Sequence, residues 1–81
     1  MNVRVKLFAV ARQRIGRDTI EVALTAPATV RQLRGALVEQ FPPLADVINH
    51  SRFAVNNEFA PDAAPIAATA EIALIPPVSG G

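Results

Sequence analysis

The residues of this sequence best able to do chemistry are the last two, Gly80 and Gly81. Neither carries a Cβ atom, so the backbone can pass through a narrow channel and bring the α-carboxylate of Gly81 close to a reactive centre. A carboxylate is a poor electrophile until one of its oxygens is converted into a good leaving group. We therefore predict that Gly81 acts through an activated carboxyl group. The alternative is a frayed terminus without a function.

The residues before the glycine pair predict an extended tail. Pro76 and Pro77 lack a backbone N–H donor and fix φ, so they end sheet pairing. From residue 76 to residue 81 the chain can reach roughly 20 Å, at about 3.3 to 3.6 Å per residue, which is enough to enter a partner's pocket. We predict a folded domain over residues 1–75 and a tail over 76–81. The tail residues predicted to contact a partner are Pro76, Pro77, Val78, Ser79 and Gly80.

The composition excludes several kinds of active site. The chain has no cysteine, which excludes disulfides, thiolate metal sites and a cysteine nucleophile, and its one histidine, His50, cannot build a metal cluster alone. No serine stands with a histidine and an acid, no two carboxylates have a useful spacing, and no glycine-rich phosphate loop precedes a helix. We predict no metal, no permanently bound cofactor and no catalytic side chains. His50 is interpreted as a surface or capping residue.

The charge distribution argues against nucleic acid and membrane partners. The 81 residues suit one small domain, with a formal net charge of +1. Residues 1–40 carry seven Lys/Arg and three Asp/Glu, whereas residues 41–81 carry one and four. No basic cluster is interleaved with aromatic residues, so we interpret the basic side chains as solvated surface. The first six residues alternate instead of forming the apolar run of a signal peptide, and we expect a cytoplasmic protein.

Hydrophobic periodicity predicts the elements of the first half. Apolar residues alternate over residues 2–8 and 19–24, which predicts two antiparallel strands joined by a short helical turn that ends at Gly16. Thr29 and Gln32 form a capping box at the start of the main helix, whose apolar residues recur at helical spacing. Phe41 precedes a proline and ends this helix. Gly35 costs about 1 kcal/mol in a helix, so we predict that it allows a close approach to a strand.

The second half predicts shorter elements. A turn over residues 44–48 is followed by a strand face with Phe53 and Val55 and by a tight hairpin at Asn56-Asn57. Prolines predict an unpaired loop over residues 60–70, with Ile66 inserted in the core. The last strand, over residues 72–75, is apolar on both faces and is predicted to be covered on both. This order predicts a two-layer α+β domain, with a right-handed crossover if the first and last strands pair in parallel.

The ending Ala-Leu-Ile-Pro-Pro-Val-Ser-Gly-Gly resembles that of the small subunits of molybdopterin synthases, which are ubiquitin-like sulfur carriers of the ThiS/MoaD type. Residues 7–9, 11–16 and 55–59 are similar to corresponding segments of that family. The resemblance implies a ubiquitin-like β-grasp fold, with a mixed sheet of four to five strands and one main helix packed across it. Where the family usually has an Asp-Gly-Asp turn, this chain has Ala68-Thr69-Ala70, which leaves that turn's geometry open.

The resemblance also implies a chemistry. An activating enzyme would use ATP to adenylate Gly81, and a sulfur donor system would convert the adenylate into a thiocarboxylate. The tail would then enter the large catalytic subunit of a heterotetrameric synthase and donate sulfur to cyclic pyranopterin monophosphate in molybdenum cofactor biosynthesis. The chain would thus be the sulfur-donating subunit of a sulfurtransferase complex.

The sequence leaves open two other functions and the placement of two apolar residues. The chain could be a ubiquitin-like modifier conjugated to other proteins through Gly81, or a thiocarboxylate carrier for thiazole or cysteine synthesis. Its Pro-Pro-Val-Ser ending favours the synthase subunit over both. Phe59 and Ile75 are predicted to dock on the large subunit with the tail, and their alternative place is the core.

Overall fold

A computed structural model describes residues 1–77 of the chain. It contains seven strands and three α-helices within that range, with a 3₁₀ turn at Pro42–Leu44 before the third helix. The elements in chain order are β1 (Asn2–Leu7), α1 (Ala9–Ile15), β2 (Thr19–Ala23), β3 (Ala28–Thr29), α2 (Val30–Gln40), α3 (Ala45–Ile48), β4 (Arg52–Val55), β5 (Glu58–Ala60), β6 (Pro65–Ile66) and β7 (Glu71–Ile75).

Five strands form a mixed sheet in the order β2-β1-β7-β4-β5. β1 is antiparallel to β2 and parallel to β7, while β4 is antiparallel to both β7 and β5. The last strand therefore lies in the middle of the sheet, next to the first. This arrangement confirms the predicted β-grasp fold, and the two terminal strands pair in parallel.

The core lies between one face of the sheet and α2. Alternate residues of β1, β2, β4 and β7 point into it, and α2 contributes Val30, Leu33 and Leu37. The largest fully buried side chains are those of Phe53, Leu7, Ile20, Leu33, Leu37, Leu44, Ile48, Leu74, Val3, Val5, Val22 and Val30. Ile66 is also buried, as predicted. Burial of a side chain of this size contributes roughly 1.5 to 3 kcal/mol, so these residues dominate the stability of the domain.

The sequence correctly predicted both ends of α2. The Thr29 hydroxyl accepts from the Gln32 backbone N–H, and the Gln32 carboxamide accepts from the Thr29 N–H at 2.8 Å, which completes the predicted capping box. The helix ends at Phe41, whose N–H donates to the Leu37 carbonyl. α1 likewise ends at Gly16, which has a left-handed φ of 78°.

Two turns lie beside the start of β7, the hairpin turn between β4 and β5 and the turn that directly precedes β7. Asn56 and Asn57 have φ values of 52° and 70°, the positive values that a two-residue hairpin requires. The Asn56 carboxamide oxygen accepts from the Glu71 N–H and so ties this hairpin to the start of β7. The Ala68-Thr69 turn is closed by the Ala70 N–H donating to the Ala67 carbonyl at 3.0 Å. Neither Ala68 nor Thr69 has a positive φ, so this turn forms without glycine.

Arg34 of α2 connects the helix to two loops. Its guanidinium donates to the Ile48 carbonyl at 2.5 Å and to the Ser51 carbonyl at 3.0 Å, and it pairs with Asp62 at 3.1 Å. The same group lies over the buried Phe53 ring, 5.0 Å from its centroid. One side chain thus holds the segment before β4 and the loop after β5 against α2.

Two predictions about the second half were wrong. The segment over residues 60–70 is not wholly unpaired, because Pro65–Ile66 pairs with Ala28–Thr29 in a short second sheet. Both strands of a two-stranded sheet are edge strands, and proline is tolerated in an edge strand. β7 is not covered on both faces, since Ala73 and Ile75 are only half-buried. They share their face of the sheet with Lys6 and Arg52, which are exposed.

The predicted role of Gly35 was wrong as well. A Cβ atom built at Gly35 meets no atom within 4 Å, so no strand makes a close approach there. We expect Gly35→Ala to raise the free energy of unfolding by about 1 kcal/mol, because alanine has the higher helix propensity. Urea denaturation measures this change.

The matched control is Gly16→Ala. A Cβ at Gly16 also meets open space, but its φ is positive, so we expect a loss of about 1 to 2 kcal/mol. If Gly35→Ala destabilised the chain as Gly16→Ala does, the open position of Gly35 in α2 would be contradicted.

Candidate functional site

The central position of β7 determines where the C-terminal tail leaves the domain. β7 ends at Ile75, and its neighbours β1 and β4 hold it on both sides. Pro76 is buried against the chain itself, whereas Pro77 is exposed. Of the two tail residues that the structure describes, the first is therefore anchored and the second is exposed to solvent.

The other predicted tail residues lie beyond this point. Val78, Ser79, Gly80 and Gly81 are outside the described residues, so the predicted reactive carboxyl group and the predicted partner contacts of these four stay predictions. At about 3.3 to 3.6 Å per residue, four residues after Pro77 reach roughly 14 Å from the surface when extended.

An apolar surface lies beside the root of the tail. We call it the open-face patch and define it as Ala54, Phe59, Ala73 and Ile75, which lie on the sheet face opposite the core. Phe59 is 63% exposed, which excludes the alternative that it belongs to the core. Ile75 is half-buried. The patch spans β5, β4 and β7 and ends where the tail begins.

Arg52 adds a positive charge to this patch. Its guanidinium lies over the Phe59 ring, 5.0 Å from the centroid, and Arg52 pairs with Ile75 in the sheet. Such a cation–π contact at an exposed site is worth about 0.5 to 1 kcal/mol and limits the rotation of the ring. This contact was not predicted, because the hairpin turn separates Arg52 from Phe59 in the sequence. Their positions on the two strands of one predicted hairpin could have indicated it.

The other half of the open face is charged. Arg4 and Lys6 project from β1, and Glu71 is the register partner of Arg4 on β7. Together with Thr19 and Thr69 they line an open cleft of about 500 Å³. The open face is therefore divided into an apolar half beside the tail and a charged half away from it.

A groove of about 620 Å³ lies beside the root of the tail. Its lining includes residues of α1, residues of α3 with His50, and the two prolines Pro76 and Pro77. Arg14 of α1 donates to the Asp46 carboxylate of α3 at 2.5 Å and to the Pro43 carbonyl at 3.1 Å. The hydrogen bond from Arg14 holds the pKa of the Asp46 carboxyl below its ordinary value. His50 is exposed, in agreement with its interpretation as a surface residue.

Two kinds of site are absent from the described part of the chain. Residues 1–77 contain no group of three or more His, Cys, Asp or Glu side chains arranged to hold a metal ion. No helix in that range is both long and apolar enough to cross a membrane.

The chain is similar to known proteins over its whole length. The ThiS family matches residues 5–81. A molybdopterin synthase sulfur carrier subunit from Arabidopsis thaliana is 33% identical over 81 residues, which cover 100% of this chain and 84% of the plant protein. The subunit of the same name from Caenorhabditis briggsae is 32% identical over 83 residues, covering 100% and 99%. The crystal structure of SAMP1, a small archaeal modifier protein from Haloferax volcanii, is 35% identical with a TM-score of 0.84 and full coverage of both chains.

Phe59 is exposed whereas Phe53 is buried, and substitution of each residue tests this difference. We expect Phe59→Ala to change the free energy of unfolding by no more than about 1 kcal/mol, because only a surface cation–π contact is lost. The matched control Phe53→Ala removes a fully buried ring and should cost about 3 to 5 kcal/mol. Urea denaturation of both variants measures the difference, and equal losses would contradict the exposed position of Phe59.

Proposed function

This chain belongs to the ThiS family, and we propose that it is the sulfur carrier subunit of a molybdopterin synthase. The observation that carries the proposal is the full-length similarity to two curated subunits of that name, which extends to the final glycines. The structure supports it in one respect, since the central strand of the sheet ends at an anchored proline, the first residue of the tail. Both observations support the proposal that the C-terminus is the functional end.

The proposed chemistry takes place at the Gly81 carboxyl group. On an activating enzyme, a carboxylate oxygen attacks the α-phosphorus of ATP, and pyrophosphate leaves. A persulfide of the donor system then attacks the acyl carbon, and AMP leaves with the oxygen. A thiol of the donor system attacks the donor's own sulfur in the resulting acyl disulfide, so that a disulfide forms on the donor side and the thiocarboxylate leaves. The chain contributes no thiol of its own, because it contains no cysteine. Its part is to present a carboxyl group that no side chain hinders.

The thiocarboxylate would be delivered to the large catalytic subunit. There its sulfur would bond to a carbon of cyclic pyranopterin monophosphate, and water would cleave the bond between that sulfur and the acyl carbon, so that the carboxylate is regenerated for another cycle. The chain is then the sulfur-donating part of a sulfurtransferase complex. Its tail must reach a reacting atom with a separation of about 3 Å, which is why the length of the tail matters.

The open-face patch is the proposed docking surface for the large subunit. An exposed aromatic residue beside the tail is a solubility liability unless a partner covers it. We assign the contacts to Phe59, Ile75 and Pro77, followed by Val78, Ser79 and Gly80. Pro76 is assigned to the root of the tail, because it is buried in the chain itself.

A second function is favoured by one observation. The 35% identity to a small archaeal modifier protein supports a role as a modifier joined to lysines of other proteins through Gly81. The two functions share the activation step and differ in the nucleophile that the activated Gly81 meets next. A sulfur nucleophile makes the chain a carrier, and a lysine amine makes it a modifier.

The length of the tail provides a direct test. Deleting Gly81, or adding one residue after it, moves the terminal carboxylate by about 3.5 Å, which is more than a reacting pair can tolerate. We expect either change to abolish sulfur transfer in a reconstituted synthase assay and to leave the thermal unfolding midpoint unchanged.

The control is Glu21→Gln, an exposed change on the edge strand β2 that leaves the tail intact and should retain full transfer. Full activity of the unprocessed, extended chain would show that the position of the carboxylate is not decisive.

A further inference from the structure

The prolines at the root of the tail line a groove together with two short helices. α1 has only seven residues and no side-chain bond at its N-cap. A helix this short is not stable by itself, so its position depends on tertiary contacts. α3 is shorter still, with four residues. The groove that Pro76 and Pro77 line therefore has helical walls whose positions must be fixed by side chains.

Arg14 supplies that connection. It stands in the last turn of α1 and donates to the Pro43 carbonyl at 3.1 Å and to the Asp46 carboxylate. Among residues 1–77, no other side-chain hydrogen bond joins α1 to residues 42–48. Both bonds come from one guanidinium nitrogen, Nη1, whose two hydrogens can point to the two acceptors at once. A methionine at this position has no donor for either acceptor.

The neighbouring arginine of α1 provides a comparison within the same helix. Arg12 also lies in the last turn and pairs with Asp18 at 3.6 Å, in the connection to β2. That pair does not line the groove around the prolines. Two arginines of one helical turn thus have different partners, and only Arg14 connects the walls beside the tail.

We propose that Arg14 is a positioning residue that fixes the root of the tail, Pro76 and Pro77, and so limits the directions open to the residues after it. It acts through the walls of the groove and not on the reacting atoms. The lowered pKa of Asp46 is consistent with this link, since it reflects a carboxylate held in the charged form by Arg14. The consequence for sulfur delivery rests on the proposed function, whereas the effect on tail direction does not.

The direction of the tail can be measured without any sulfur chemistry. Because the chain has no cysteine, spin labels can be attached at Glu21→Cys on β2 and Ser79→Cys in the tail. Pulsed electron paramagnetic resonance then gives the distribution of distances between them. In this background we expect Arg14→Met to shift or broaden the distribution, and the matched control Arg12→Met to leave it unchanged. Arg14→Lys should give an intermediate result.

A functional measurement complements the distances. With the thiocarboxylated carrier and saturating large subunit, Arg14→Met should slow single-turnover sulfur transfer about ten-fold or more, because small misplacements of reacting groups are costly. The saturating concentration of the large subunit keeps any change in affinity from affecting the measured rate. A melting curve shows whether the variant is folded. If Arg14→Met does not fold, Asp46→Ala removes the carboxylate that accepts from Arg14 and replaces it in both experiments.

The outcomes separate the two claims. Identical distance distributions for the parent and for the Arg14 and Arg12 variants would overturn the positioning role. Failure of the parent chain to transfer sulfur would instead contradict the proposed function, while the distances would still decide the role of Arg14.

Discussion

The parallel pairing of the first strand with the last is the constraint on which the rest of the structure depends. Arg4 of β1 is in register with Glu71 of β7, and Leu7 with Leu74. Parallel neighbours cannot be joined by a tight turn, so the chain between them must cross over the sheet. The crossover contains α2, which buries Val30, Leu33 and Leu37 against the inner face. β7 thereby becomes a central strand, and the tail starts from one of the best-supported positions in the domain.

The two faces of the sheet then serve different purposes. The inner face provides stability through side chains such as Phe53, which is fully buried. The open face carries Phe59, 63% exposed, under the guanidinium of Arg52. A surface that contributes little to folding can be matched to a partner without loss of stability. The apolar half of this surface lies on the side from which the tail leaves, so docking of the patch and insertion of the tail can occur together.

Much of the fold could be predicted because its signals are local. The Thr29 and Gln32 capping box, the left-handed Gly16 and the Asn56-Asn57 hairpin each depend on residues a few positions apart. The features that were missed depend on residues far apart in sequence. Arg14 and Asp46 are 32 positions apart, so neither residue alone indicates the other.

Errors about exposure have a related cause. Ala73 and Ile75 are apolar, and apolar residues on both sides of a strand indicate two covered faces only when a second layer exists within the chain. A partner can provide that second layer, and a single sequence does not distinguish the two cases. The sequence leaves the same two cases open for Phe59. In the structure Phe59 pairs with Ala54, and this pairing places its ring on the open face.

The central claim is that Gly81 carries sulfur at its carboxyl group. The most direct test is intact-mass spectrometry of the chain after incubation with ATP, its activating enzyme and a sulfur donor, with fragmentation to locate any change. The account predicts one oxygen exchanged for sulfur at Gly81, and no change when ATP is omitted. An unchanged mass together with adducts that join Gly81 to lysines of other proteins would contradict it and establish the modifier function instead.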